Sequence, residues 1–265
     1  MIDTSDWSRC FTETLTKETE MSHKKMNLVT VTRCFGRTSK QIKPFIEASQ
    51  ALGPVFVVVN STKDQAGMLN HLNEHHPDVG IDNTTGDNLT AALNIGFWKA
   101  VALGAEYILF ASDSFPPTKD QVASLLTQMD EHTLVAGARF GQHTFQTGEH
   151  KINGLNTPWN TFAIWNVDLL CKWAGGFPVS GTYPQNPKLG GVEEIDAIVL
   201  AQTNAAEAGV KLSAKVKDVP NFVDTWTMKG WTEEQITTHE EKMASKVSRP
   251  AARGLTSGKV IHVST

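Results

Sequence analysis

The sequence predicts an α/β fold in a single domain, with a mostly parallel sheet flanked by helices. From Leu28 onward, short runs of β-branched and aromatic residues alternate with stretches in which apolar residues recur three or four positions apart. Several of these runs, such as residues 55–59, are apolar at every position, which is typical of strands buried on both faces. With 265 residues and 40% hydrophobic content, the chain is long enough for one substantial core.

The first half of the chain repeats a strand–helix unit. Strands are predicted at residues 28–32, 55–59, 79–83 and 107–111, and helices at residues 42–52, 64–74 and 89–101. Gly53-Pro54 and Gly104 are typical of helix ends, whereas Pro44 leaves the start of the first helix open. Polar residues that follow the strands of such a sheet face the usual ligand crevice, most clearly at Ser112-Asp113-Ser114.

The second half of the chain is less regular. A helix over residues 122–129 and a strand over residues 134–138 continue the pattern, and a loop-like stretch follows at residues 141–158. The remaining elements are a strand at 162–165, a helix at 167–173, a Gly/Pro-rich loop at 175–191, a helix from Glu193 to Gly209, a strand after 210, an aromatic segment with Trp226 and Trp231, and a polar helix at 232–247.

The composition excludes several classes of function. The net charge of -4 and the pI near 6.1 leave no basic stripe, so extended nucleic-acid binding lacks its electrostatic basis. No run approaches the roughly 18 apolar residues that a transmembrane helix needs. The three cysteines are odd in number and widely scattered, which favours a reducing compartment, and we expect a cytoplasmic protein.

Short segments, in order along the chain, carry a resemblance to a known family. They are Thr30-Val31-Thr32-Arg33, Val57-Val58-Val59-Asn60, the glycine-bounded stretch 86–96, Ser112-Asp113-Ser114, and the stretch 190–196, which reads Gly-Gly-Val-Glu-Glu-Ile-Asp. Over about residues 27–209, this pattern resembles the GT-A glycosyltransferases of the family-two type. The resemblance implies a GT-A fold, a nucleotide-sugar donor, and a glycan or other acceptor that carries a hydroxyl group.

The resemblance divides the chain into four parts. Residues 1–26 form an arm that we expect to be mobile or loosely helical, because it is polar with little apolar periodicity. Residues 27–140 would bind the nucleotide sugar, residues 141–225 would bind the acceptor and carry the catalytic group, and residues 226–265 would form a helical and basic extension.

The resemblance also implies a set of residues that bind the sugar donor. They follow the strands or lie near the start of the third helix: Thr32, Arg33, Asn60, Asp87, Asn94, Ser112 and Asp113. The first three would contact the base and ribose. Leu93 stands where the family has an arginine, which removes one phosphate or base contact. An ordinary capped helix is the alternative explanation of the stretch 86–96.

A divalent cation, Mn²⁺ or Mg²⁺, is implied by the position of Ser112-Asp113-Ser114, which matches the Asp-x-Asp motif of the family. Such a cation neutralises the diphosphate as the sugar leaves. Asp113 is the only carboxylate of this segment, and the alternative is that it caps the turn into the next helix. A late histidine completes the metal shell in many members, and His239 matches that position. The alternative for His239 is a solvated surface residue.

The acidic pair Glu193-Glu194 matches the family motif that supplies the catalytic base of inverting enzymes. Glu194 is the leading candidate for the base and Glu193 is the second, because the displacement needs a carboxylate that accepts the proton of the acceptor hydroxyl. Acids at a helix N-terminus that merely stabilise the helix dipole are the alternative.

Two further groups of residues receive predictions. Trp159 follows Pro158 in a loop and is a candidate for stacking on an acceptor sugar, whereas Trp165 is expected in the core. Lys246, Arg249 and Arg253 follow the last predicted helix as a basic cluster, which either closes over the phosphates of the donor or remains a solvated tail.

Three other functions compete with this hypothesis. A sugar-phosphate nucleotidyltransferase should carry a Gly-rich loop after the first strand, whereas Gly36 is the single glycine there. A dinucleotide oxidoreductase should carry GxGxxG at the same place, and this sequence does not. A non-catalytic domain that binds a nucleotide or a sugar remains open, because the Asp-x-Asp motif is incomplete.

Overall fold

The computed structural model describes residues 27–34, 39–60, 65–84, 89–178, 189–223 and 232–264. The strands are β1 (Leu28–Cys34), β2 (Val55–Asn60), β3 (Gly80–Thr84), β4 (Tyr107–Ala111), β5 (Thr133–Ala138), β6 (Gly148–Lys151), β7 (Phe162–Asn166), β8 (Ser213–Lys217) and β9 (Lys259–Val263). The helices are α1 (Ser39–Gln50), α2 (Gln65–His75), α3 (Leu89–Ala102), α4 (Lys119–Leu126), α5 (Val167–Ala174), α6 (Glu193–Glu207) and α7 (Glu233–Ala252).

All of these strands join one sheet, in the order β3-β2-β1-β4-β7-β5-β8-β9-β6. Strand β7 runs antiparallel to both β4 and β5, strand β6 runs antiparallel to β9, and the other pairings are parallel. The predicted α/β fold with a mostly parallel sheet in a single domain is therefore confirmed. The parallel strands all end at one edge of the sheet, here called the carboxyl edge, and β7 begins there.

Helices cover the sheet on both faces. On one face, Val29, Val31, Phe110 and Trp165 pack in a core with residues of α3, α5 and α6. On the other face, α1 and α2 cover β2, while α4 packs against β5 and β7. Trp165 is fully buried, as its sequence context predicted. Burying a large apolar side chain contributes about 1.5–3 kcal/mol, so these two cores fix the sheet between its helical layers.

A ligand crevice is expected between β1 and β4, because the order of the strands reverses there. The chain leaves β1 towards β2 and β3, and returns through α3 to β4 on the other side of β1. Ligands of such sheets bind outside the carboxyl ends of the strands at this reversal. Helix α3 approaches β1 closely at Gly96, where an added Cβ would lie 2.4 Å from the Val31 side chain. The glycine therefore allows the helix to border the crevice.

Helix α7 extends further than its sequence pattern predicts. Its start is capped by Thr232, whose side chain accepts a hydrogen bond from the Gln235 backbone while Gln235 bonds back to Thr232. The predicted end near residue 247 is wrong, because the helix continues through Pro250 to Ala252. Among the described helices, none combines the length and the apolar character that crossing a bilayer requires.

Candidate active site at the carboxyl edge

Arg33 and Asn60 meet at the carboxyl ends of β1 and β2. Arg33 Nε donates a hydrogen bond of 2.6 Å to Asn60 Oδ1, and Asn60 is fully buried. The buried amide therefore fixes the orientation of the half-buried guanidinium at the crevice. Thr32 is 1% exposed, so its side chain is closed to a ligand in this conformation.

The segment Ser112-Asp113-Ser114 forms a tight turn directly after β4. Ser112 N donates to Thr161 O at 2.9 Å, and Ser114 N donates to Ser112 Oγ at 3.3 Å. Asp113 Oδ1 accepts a longer contact of 3.5 Å from Ser114 Oγ. Helix α4 has its own cap at Thr118 with a capping box, so Asp113 is not the N-cap of that helix, although it lies in the turn that leads towards it.

Glu194 reaches the same turn from α6. Its Oε1 accepts a hydrogen bond of 2.9 Å from the backbone N–H of Asn160, whose side-chain Oδ1 accepts from Trp165 Nε1 at 2.8 Å. Asn160 precedes Thr161, which holds Ser112. The predicted start of a helix at Glu193 is confirmed. The half-buried carboxylate of Glu194 is therefore oriented by an N–H group and linked through two residues to the turn after β4.

Glu193 is the buried member of the acidic pair, with 4% exposure. The pKa of Glu193 is raised to about 8, first by burial and then by the negative charge of Glu194, while the positive charges of Lys246 and Arg33 act in the opposite direction. Glu193 is therefore mostly neutral at pH 7, whereas Glu194 is the half-buried member of the pair that accepts the Asn160 N–H.

The second half of α7 lies over the start of α6 with three cationic side chains. Lys246 Nζ lies 3.7 Å from the centre of the Trp159 ring, and Arg249 Nη1 donates to Gly190 O at 3.0 Å. Arg253, at the end of the helix, donates from Nη2 to Asp196 Oδ2 at 2.8 Å, and both side chains of this ion pair are buried. The predicted basic cluster is thus part of the helical layer at the carboxyl edge, and the solvated tail is wrong.

Comparison with solved structures bears on the fold. The chain is similar to a mannosyltransferase from Pyrobaculum calidifontis, solved in complex with GDP-Man and Mn²⁺, with a TM-score of 0.55 and 13% identity over 94% of this chain and 71% of that one. The chain has the GT-A fold. At this low identity the likeness establishes the fold, and the activity has to be argued from the site.

Two other solved structures resemble the chain more distantly. TarS of S. aureus has a TM-score of 0.45 and 15% identity over 66% of this chain and 56% of that one. A nucleotidyl transferase from Methanothermobacter thermautotroptrophicus has the same TM-score and identity, over 82% of this chain and 98% of that one. No family model and no curated protein matches the sequence.

Several residues that the GT-A resemblance assigned to ligands have other roles in this conformation. Trp159 is 3% exposed, its Nε1 donates to Gly154 O at 2.9 Å, and its ring stacks on Phe140. The prediction that Trp159 stacks on an acceptor sugar is therefore not supported, because the ring belongs to the core. The amide of Asn94 bonds at both ends to the backbone of Phe177, at 2.8 Å each, so it holds that segment.

Asp87 lies outside the described residues, and His239 lies on α7. His239 precedes Lys246 by seven residues, or two turns and about 10 Å along the same helix face. Within the described parts of the chain, no three His, Cys, Asp or Glu side chains come together as a metal site. His239 therefore belongs to no cluster of this kind within the described residues.

A divalent cation does not fit the side chains that the structure describes at this edge. Mg²⁺ and Mn²⁺ prefer several oxygen ligands with carboxylates among them, whereas Ser112-Asp113-Ser114 offers one carboxylate. Of the two nearby acids, Glu193 is mostly neutral at pH 7 and Glu194 accepts the Asn160 N–H. The expectation of a cation at Asp113 and His239 is therefore not supported by this donor set.

One cavity lies elsewhere in the GT-A fold. It has a volume of about 610 Å³ and is bordered by the second half of α6, the starts of β8 and β9, and β6. Its apolar lining includes Val199, Val210, Leu212 and Ile261. Because β8 and β9 begin there, this cavity lies at the edge of the sheet opposite the polar cluster.

Proposed function

We propose that this protein transfers a glycosyl group from a nucleotide sugar to the hydroxyl of an acceptor, with inversion at the anomeric carbon. The observation that supports this most directly is Glu194 at the start of α6, bonded to Asn160 beside the turn that carries Asp113. A carboxylate is thus held next to the strand reversal at which ligands of such sheets bind. The GT-A fold adds support, because proteins of this fold include a mannosyltransferase.

The proposed reaction is a direct displacement. The acceptor oxygen forms a bond to the anomeric carbon, the bond from that carbon to the phosphate oxygen breaks, and the nucleotide leaves with the electron pair. Glu194 takes the proton of the acceptor hydroxyl, which is the role of a general base. Glu193, mostly neutral at pH 7, limits the negative charge beside the leaving nucleotide.

The remaining site residues are assigned to the nucleotide sugar. Arg33, oriented by Asn60, is proposed to contact the nucleotide at the end of β1, and Ser112 and Asp113 are proposed to contact its ribose and diphosphate after β4. The expected Mn²⁺ or Mg²⁺ lacks a suitable set of side chains among the described residues, so no step is assigned to it. The scattered cysteines support a reducing compartment such as the cytoplasm.

A panel of nucleotide sugars tests this proposal. Purified full-length protein is incubated with UDP-, GDP-, dTDP- and CMP-linked sugars in Mn²⁺, Mg²⁺ or EDTA, and release of the nucleotide is measured beside thermal stability. We expect one nucleotide class both to stabilise the protein and to be released. Stabilisation without release under every condition would contradict the enzyme and favour a binding domain. Release of pyrophosphate from a nucleoside triphosphate and a sugar phosphate would favour a nucleotidyltransferase instead.

A further inference from the structure

We propose that Arg33 and Lys246 form a cationic site for the diphosphate of the sugar donor, and that they carry out the charge neutralisation for which GT-A enzymes use a metal ion. This inference rests on the proposed function, because it concerns the leaving group of the same reaction. It is carried by the positions of the two cations at the carboxyl edge, Arg33 near the end of β1 and Lys246 on α7 over Trp159.

Arg33 supplies the first cation from the sheet. It is the sixth residue of β1 and borders the strand reversal, where the crevice between β1 and β4 opens. One of the five guanidinium N–H donors bonds to Asn60, which holds the planar group in a fixed orientation. A fixed guanidinium matches the geometry of two phosphate oxygens, so it is well suited to a diphosphate.

Lys246 supplies the second cation from the helical layer. Its backbone is tied down, because Lys246 O accepts from Gly154 N at 3.2 Å and an added Cβ at Gly154 would lie 2.3 Å from that oxygen. Further along α7, Arg249 and Arg253 anchor the helix to Gly190 and Asp196. The ammonium group rests over the Trp159 ring, whose burial fixes this platform. Lys246 is thus a preorganised charge rather than a mobile surface lysine.

The two cations converge on the start of α6. Lys246 lies over Trp159, which precedes the Asn160 that bonds Glu194, and Arg33 lies near the end of β1, the strand beside β4 and its turn. The charges of both cations also act on the buried carboxyl of Glu193. Of the three acids in this turn, Glu193 is mostly neutral at pH 7, Asp196 is paired with Arg253, and Glu194 is the proposed base. An anion of two charges or more, such as a diphosphate, is therefore electrostatically favoured between the two cations.

The chemical consequence concerns the breaking bond. As the anomeric carbon separates from the phosphate oxygen, one further negative charge develops on the diphosphate while the acceptor proton passes to Glu194. Two fixed cations stabilise that charge without reorganisation at the moment of reaction. Ser112-Asp113-Ser114 contains a single carboxylate. This agrees with a site in which cationic side chains neutralise the diphosphate, because such a site does not require several acids that bind a metal ion.

The test uses the full-length protein with the nucleotide sugar found in the panel above. In EDTA we expect wild-type turnover to equal that in Mn²⁺, and Lys246→Met to lower turnover on the order of 10²-fold. Methionine keeps the aliphatic chain over Trp159 and removes the charge, and Lys246→Arg should restore most of the activity. Lys172, whose ammonium lies 4.7 Å from the Trp173 ring on α5, gives a matched control, and Lys172→Met should leave turnover unchanged.

A binding measurement separates this inference from the proposed function. In EDTA, calorimetry should show that the nucleoside diphosphate binds wild type more tightly than the nucleoside does, and that Lys246→Met and Arg33→Met each remove this preference at unchanged thermal stability. Turnover that requires Mn²⁺ and is insensitive to Lys246→Met would overturn the inference and leave the transferase intact. If no donor is turned over, an equal affinity of nucleoside and nucleoside diphosphate in EDTA still overturns it.

Discussion

Two regions at opposite edges of the same sheet differ in character, and α6 contributes to both. One is the cavity of about 610 Å³ at the starts of β8 and β9, where the charged residues Glu149, Lys211 and Lys259 are all exposed. The polar cluster at the carboxyl edge contains a buried acid, Glu193, and a buried ion pair. Burying charges costs free energy that only specific partners offset, so their presence is a better indication of a reaction site than volume is.

Among the variants that test this comparison, Glu194→Gln is expected to have the largest effect, which is on turnover. The amide keeps the size of the side chain and the contact with the Asn160 N–H, but it no longer accepts the proton of the acceptor. We expect turnover to fall by roughly 10²–10⁴-fold, with the affinity for the nucleotide sugar unchanged. Steady-state kinetics together with donor binding by calorimetry measure both quantities. Turnover at the wild-type level would show that another residue is the base, and Glu193 would be the next candidate.

The next largest effect concerns the buried ion pair. Arg253→Met leaves Asp196 buried without its guanidinium partner, and we expect the free energy of unfolding to fall by about 3–5 kcal/mol. Urea denaturation at pH 7 measures the loss, and the double variant Arg253→Met with Asp196→Asn should recover part of it. Lys211→Met, which removes an exposed partner of Glu149 at the cavity, is the control and should have little effect. Equal losses in the free energy of unfolding for Arg253→Met and Lys211→Met would contradict the difference between the two regions.

An effect that is smaller per pH unit is expected in the pH dependence of stability. The pKa of Glu193 is raised from 4.5 to about 8 in the folded protein, so the folded state binds a proton that the unfolded state releases between those values. The free energy of unfolding should therefore fall as the pH rises through this range, by at most about 1.4 kcal/mol per pH unit, and the contribution should level off above pH 8. Denaturation measured between pH 5 and pH 9 should show that the free energy of unfolding depends less on pH in Glu193→Gln than in wild type. An equal pH dependence in the two proteins would contradict a protonated Glu193.

The smallest effect is expected at the cavity. Ala206 is an exposed residue of α6 at its border, and Ala206→Leu adds apolar volume there. We expect stability to change by less than about 0.5 kcal/mol and turnover to remain at the wild-type level. A loss of turnover in this variant would show that the second half of α6 is coupled to the acids at its start, and the two regions would then have to be treated as one system.

The two halves of the sheet also differ in how well the sequence predicted them. Strands β2 and β4 each lie between two neighbouring strands of the sheet, and both agree with the sequence prediction to within one residue, because continuous apolar runs leave a strong local signal. Strand β6 reads Gly-Glu-His-Lys and was assigned to a loop, and β9 to the basic tail. These two pair with each other across more than 100 residues at the margin of the sheet, so neither carries the pattern of a buried strand.

The candidate site shows the same limit. Helix periodicity was sufficient to place Glu193 and Glu194 at the first turn of α6. The burial of Trp159 was missed, because it depends on Phe140 and on Lys246, which lies 87 positions further along the chain. Lys246 itself looked like one cation of a tail. The position of such a side chain depends on packing between elements that are far apart in the sequence, and local sequence patterns do not show that packing.

The position of α7 has a consequence for how the protein is made. A ribosome releases the acids of α6 about 40 residues before the helix that carries Lys246, Arg249 and Arg253. Until that helix emerges, Asp196 has no guanidinium to pair with, and β8 has no β9 along its free edge. The nascent chain therefore exposes an unpaired strand, and chaperones that recognise unpaired strands would meet this protein at that stage of its synthesis.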